Sequence, residues 1–242
     1  MPRSTPRAAP ITATMSTEAA LYRLLAWLSP AYPVGAYSYS HGLEWAVETG
    51  AVRDRDGLID WLAPLLRHGG GWTDAVLLAR GHEAAAPGRL EAWRELRRFA
   101  HALAPTAELA LETRAQGAAF ARASLASWPD AGGRLAGLLA GEPPLTYPLA
   151  VAAVAACHGV PLDLLLPVYL QAFAANLVSA AVRLVPLGQT DGQRAIAALE
   201  PVVAEVAIAA PLCALDELGT ATLAVDLCSI HHETQRTRLF RS

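Results

Sequence analysis

Apolar residues recur along this chain at intervals of three and four, and strict alternation of apolar with polar residues is nearly absent. That spacing marks helices rather than strands, because a helix returns to the same face every three to four residues whereas a strand reverses face at each one. Leu21, Leu24, Leu25 and Leu28 share one face of a helix predicted over 18–28. Leu58, Trp61, Leu62, Leu65 and Leu66 share another after Asp54, and Leu90, Trp93, Leu96 and Leu103 form a stripe over 89–103. Further helices are expected over 108–126, within 135–139, from Tyr147 to His158, through Ile196, Leu199, Val203 and Val206 with a kink at Pro201, and over 215–233. The pattern predicts an all-α protein, a single-domain helical bundle of about ten helices. Residues 1–17 read as a disordered leader, 18–235 as the helical domain and 236–242 as a tail.

The longest apolar run lies between Asp163 and Arg194, with no charge from Leu164 to Val182. Roughly 20 apolar residues suffice to cross a membrane, so this stretch is either a span or the central helix of a core. Gln171, Asn176, Ser179 and Arg183 decide between them. At about 100° per residue they fall within an arc of roughly 140°, which fits a buried helix with one polar seam and no membrane. Pro186 and Gly188 stop this helix. Thr190 and Gln193 have capping-box spacing for the next one, so two helices are expected to meet at a polar corner, Gly188-Gln189-Thr190-Asp191-Gly192.

A second corner lies between Ser29 and Gly50, SPAYPVGAYSYSHGLEWAVETG. Pro30 and Pro33 stiffen it, Gly35 permits a turn closed to other residues, and Ser38 or Ser40 can cap the helix bearing Leu43, Trp45, Ala46 and Val47. A serine hydrolase would use Ser40 as its nucleophile, but a nucleophile elbow needs glycine two residues earlier and Ser38 stands there. The stretch therefore reads as a structural corner or a docking surface. Over 108–126, Glu112 and Arg114 lie among Ala115, Gly117, Ala118 and Ala119, a smooth face that another helix can approach closely.

The net charge is −3, which gives no reason to bind nucleic acid. Arg94, Arg97, Arg98 and His101 interleave with Glu91 and Glu95, as on a solvated helix face. All 19 basic residues are arginine. Without lysine there is neither a P-loop amine nor a Schiff base, and no cofactor is expected. The leader lacks the apolar run of a signal peptide. Cys157, Cys213 and Cys228 have no close-paired spacing and read as reduced core residues of a cytosolic protein.

At the end of the chain, Arg236, Arg238 and Arg241 bracket Leu239 and Phe240, which on composition alone reads equally as a frayed terminus or as a partner-docking tail. Just before it, Cys228, His231 and His232 stand at i, i+3 and i+4. On one helix they could share a zinc or nickel ion, but no fourth ligand has matching spacing, which favours a buried cysteine beside two surface histidines. Arg236 stands where a histidine-glutamate-x-x-histidine protease would need its second histidine.

Three segments together, SPAYPVGAYSYSHGLEWAVE, NLVSAAVRLVPLGQTDGQR and HETQRTRLFRS, resemble the urease accessory protein UreF family over nearly the whole chain after about residue 20. The resemblance implies an all-α homodimer, a cytosolic maturation chaperone without turnover of its own. Such a protein bridges a UreD/UreH-type scaffold to a UreG-type GTPase so that nickel reaches apo-urease. By the same resemblance, Arg236, Arg238, Leu239, Phe240, Arg241 and Ser242, with Arg183, Gln189 and Asp191, match segments tied to the scaffold. Ser38, Tyr39, Ser40, Gly42 and Glu44 match an early signature assigned to the GTPase-facing or dimer surface. Tyr37 and His231 depart from the family's phenylalanine and arginine, so only His232 of the possible metal trio fits the pattern.

Overall fold

The most apolar helix is the most enclosed. In the computed structural model, which describes residues 15–242, Tyr147–Cys157 buries Pro148 through Ala155 without interruption. A helix apolar all round has no face that gains from water. It is the eighth of eleven α-helices among the described residues, where no strand occurs: α1 (Thr17–Trp27), α2 (Leu43–Glu48), α3 (Arg55–His68), α4 (Gly70–Ala84), α5 (Leu90–Ala102), α6 (Ala107–Ser127), α7 (Arg134–Leu139), α8 (Tyr147–Cys157), α9 (Leu162–Leu184), α10 (Gln189–Ala209) and α11 (Leu223–His232).

α8 packs between α4 and α6. Glycine permits both contacts: a Cβ on Gly81 of α4 would stand 2.7 Å from Leu149 Cδ2, and one on Gly117 of α6 would collide with the Leu145 carbonyl oxygen. The small-residue face expected on α6 is thus where the chain before α8 comes closest. α9 packs on α10, α4, α2 and α3. Both α9 and the Gln189–Leu212 segment are long and apolar enough to cross a membrane. In this fold α9 buries Leu166, Leu170, Leu177 and Val178 in the core, and its polar seam of Gln171, Asn176 and Ser179 lines a cavity.

Several helix starts follow side-chain chemistry. Ser16 accepts from the Ala19 N–H at 3.3 Å, Asp54 from Gly57 at 2.8 Å and Thr106 from Leu109 at 3.2 Å, each occupying an otherwise orphaned donor. Of the leader expected over 1–17, residues 1–14 lie outside the described residues, and Ser16 already serves α1.

Elsewhere the pattern misplaced details. α1 buries Ala20, Leu24 and Trp27, leaving Leu21 and Leu25 exposed, because its core-facing stripe is rotated toward Trp27. The capping box at Thr190 does not form: α10 begins at Gln189 behind Gly188, so Thr190 is already inside the first turn. The last helix starts at Leu223 rather than 215, after a single 3-10 turn at Leu215–Glu217. Arg97 leaves the solvated face of α5 and is buried, donating to the carbonyls of Ala140, Gly141 and Pro143 beyond α7.

Candidate partner-docking site

After α1 the chain passes Ser29-Pro30, makes a 3-10 turn at Ala36–Ser38 and enters α2 through two left-handed residues, His41 (φ 58°) and Gly42 (φ 77°). Gly42 is needed twice over. Its φ disfavours a side chain, and a Cβ would stand 2.9 Å from the Ser229 nitrogen of α11. The serines do not cap α2 in the usual position, but Ser40 Oγ accepts the Glu44 N–H at 3.3 Å.

The tail returns to this corner. Arg241 N–H donates to the Ser38 carbonyl at 2.8 Å, and Ser40 N–H donates to the Ser242 carbonyl at 2.7 Å. Ser40 Oγ donates to that same oxygen. Three carboxylates hold the rest. Glu44 of α2 accepts the Leu239 and Phe240 N–H groups at 2.7 and 2.9 Å. Glu108 of α6 accepts from Arg238 at 2.7 Å, and Glu112, one turn later, accepts from Ser242 Oγ at 2.6 Å. Such charge-assisted bonds satisfy backbone donors that burial would otherwise orphan.

His232 lies between two of these acids and is fully buried. Its Nδ1 is 2.7 Å from Glu108 Oε2 and its Nε2 is 3.1 Å from Glu44 Oε2. Both nitrogens face acceptors, a geometry that fits the ring donating from each. Below it Thr106 Oγ1 and Ser229 Oγ meet at 2.8 Å, tying α6 to α11. Arg183 of α9 closes the outer side: its guanidinium lies 4.4 Å from the centre of the buried Phe240 ring and donates to the Tyr37 carbonyl at 2.9 Å.

Ser38, Ser40, Gly42, Glu44, Arg183, Arg238, Leu239, Phe240, Arg241 and Ser242 thus come together. Tyr39 is buried beside them, and burial raises its phenol above the ordinary value despite the nearby Arg241 charge. Gln189 and Asp191 sit apart at the start of α10, where Asp191 pairs with Arg194 at 3.0 Å and Arg55 at 3.8 Å. Arg236 is exposed.

The suggested metal trio does not converge. His232 is occupied by carboxylates, His231 stacks on Trp45 with ring centres 5.4 Å apart, and burial pushes the Cys228 thiol up. Among the described residues, no group of three or more His, Cys, Asp or Glu side chains is placed to hold a metal ion. A hydrolytic Ser40 also fails on geometry, since its hydroxyl is fully buried and engaged by the Ser242 carbonyl. Sequence reasoning missed Glu108. The available signal was the pair Glu108 and Glu112, four apart on α6, two acids on one face that find their partners in the tail.

The Ser242 hydroxyl has the Glu112 carboxylate beside it, but it is buried and engaged in seating the tail. The arrangement presents side chains: Tyr37, Arg183, Arg238, Leu239 and Arg241 stand exposed on a backbone fixed from below.

A family model described as UreF matches residues 52–200. The urease accessory protein UreF of Rhodopseudomonas palustris strain BisB5 is 52% identical over 239 residues, covering 98% of this chain and 97% of the relative. That of strain HaA2 is 50% identical over the full length of both chains. The UreF of Xanthobacter autotrophicus strain Py2 is 52% identical, covering 92% of this chain and 91% of its own.

Proposed function

Because the chain belongs to the UreF family of urease accessory proteins, and so serves urease maturation as an accessory protein and not as an enzyme, we propose that it bridges a UreD/UreH-type scaffold to a UreG-type GTPase. Through that assembly nickel, the cargo, is delivered to apo-urease. The protein works in the cytoplasm as a homodimer, whose symmetry duplicates the arrangement.

The observation that carries this reading is the pinned tail. A free seven-residue end would lose conformational entropy on docking. Here Glu44, Glu108 and Glu112 already hold Arg238, Leu239 and Ser242, and the Ser38 carbonyl holds the Arg241 N–H, so these residues meet a partner with little backbone left to fix. Arginine is among the usual anchors of interfaces, and three arginines surround the exposed Leu239 here. The residues of the site then divide by role. Ser40, Gly42, Glu44, Phe240 and Ser242 shape the corner from inside, whereas Ser38, Tyr39 and Arg183 border the exposed tail. Gln189 and Asp191 form a separate part of the partner surface.

A pull-down tests it, with this chain as bait and the scaffold and the GTPase from the same source added in turn. The bridging role predicts that the GTPase is retained only when the scaffold is present, and that Arg236→Ala with Leu239→Ala abolishes scaffold retention while helicity is unchanged. Retention of neither partner by a folded bait would refute it.

A further inference from the structure

A cavity of about 310 Å³ lies behind the corner, between α4, α6, α9 and α11. At a liquid-water share of roughly 30 Å³ per molecule that is space for about ten waters, or for a small organic molecule. Exposed Tyr37, Gln171 and Ser179 stand among its lining residues and place its mouth next to the seated tail.

Its chemistry is one-sided. Asp74, Glu112 and Asp226 line it together with a single histidine, His41, and neither lysine nor arginine does. Asp74 is held by the Tyr169 hydroxyl at 2.7 Å, and His41 Nδ1 stands 3.6 Å from Glu112. Aromatic rings complete the wall: Tyr147 and Tyr169 have centres 5.6 Å apart, and Phe173 meets the His41 ring edge-on at 5.5 Å. Polar atoms in this wall lack partners. Thr146 is only 3% exposed, yet its Oγ1 has no hydrogen bond within the protein, and neither has Thr73 Oγ1. A buried hydroxyl left unpaired costs stability unless something outside the chain pairs with it.

We propose that this cavity is a binding site for a small organic cation, a protonated alkylamine. The ammonium is drawn by Asp74 and Asp226, rests against Tyr147 and Phe173, and donates to Thr146 Oγ1, while its alkyl part covers apolar wall such as Leu77 and Leu109. A bare metal ion is a poorer fit. It requires several carboxylates or imidazoles converging at bonding distance, and no such group of three exists among the described residues. Fixed negative charge inside a low-dielectric wall selects for cation over neutral molecule more strongly than it would at the surface.

The test is a titration of the full chain with n-butylammonium chloride, followed by NMR and calorimetry at about pH 8, where Asp74 is ionised. Saturable one-to-one binding is expected, with resonances of Thr146, Tyr147 and Phe173 shifting. 1-Butanol should bind about tenfold more weakly, and Asp74→Asn should weaken the amine by about tenfold. Absence of saturation, equal binding of alcohol and amine, shifts confined to the outer surface, or a response to magnesium but not to the amine would each overturn the proposal. So would a folded Asp74→Asn protein of unchanged affinity. If that variant does not fold, Asp226→Asn carries the same expectation and the same refutation.

Discussion

The carboxylate of Glu44 accepts the backbone N–H of Phe240 at 2.9 Å, across 196 residues of sequence, and accepts that of Leu239 at 2.7 Å with its other oxygen. The Phe240 donor has no other route to satisfaction while that residue stays buried, so the acid and the seated tail require each other. Glu44→Ala should therefore release the tail. Amide exchange at residues 238–242 should rise about tenfold or more, since each hydrogen bond to a charged group contributes about 1.5–3 kcal/mol. Glu44→Gln, which keeps one acceptor oxygen, should fall between. Unchanged protection in Glu44→Ala would assign the seating to Phe240 packing alone.

His232 should prove costly to remove. Without the ring, Glu44 and Glu108 remain buried with one partner fewer each, and leaving a buried polar group without its hydrogen-bond partner typically costs about 1–3 kcal/mol. Denaturant unfolding of His232→Ala measures this directly. A loss below about 1 kcal/mol would mean that water or a neighbour compensates.

The two glycines of the corner should differ. Gly35 has φ +74° but open space around it, whereas Gly42 has φ +77° and the α11 backbone at 2.9 Å. Gly35→Ala should cost about 1 kcal/mol, the strain of a left-handed alanine. Gly42→Ala adds a collision and should cost more than about 2 kcal/mol, loosening α2 from α11. Equal losses in thermal or denaturant melts would show that the close approach yields freely.

Burial pushes the Asp74 carboxyl up to about 6, against the Tyr169 hydrogen bond and the His41 charge, which act to lower it. The folded state thus keeps a proton that the unfolded chain has already lost between about pH 4 and pH 6, so stability falls as pH rises through that window. The two-unit shift corresponds to about 3 kcal/mol. His41 works in the same sense: burial opposes its charge, but Glu112, Asp74 and Asp226 outweigh this and raise it. Asp74→Asn, which keeps an acceptor for Tyr169, should be more stable than the parent above about pH 7 and no more stable below about pH 4. A pH-independent difference would show that Asp74 is not buried as an ion.

The all-α class was legible in periodicity, because burying one face of a helix leaves its trace in every local window. The polar seam of α9 was legible for the same reason. Local spacing also places Gly42, Glu44 and the arginine-flanked tail as unusual residues in unusual positions. It could not say that Glu44 holds Phe240, that Glu108 and Glu112 are spent on the tail, or that His232 sits between acids instead of beside Cys228. Those are contacts between segments about 130 to 200 residues apart, and no window of sequence contains both partners. Which leucines of α1 face water, and whether Thr190 caps α10, were likewise settled by how the helices dock, since a rotation or a one-residue shift leaves the apolar period unchanged. The sequence by itself determined which residues would need burial or a partner; only the tertiary structure decided which partner each one found, because packing brings together groups whose mutual attraction has no local signature.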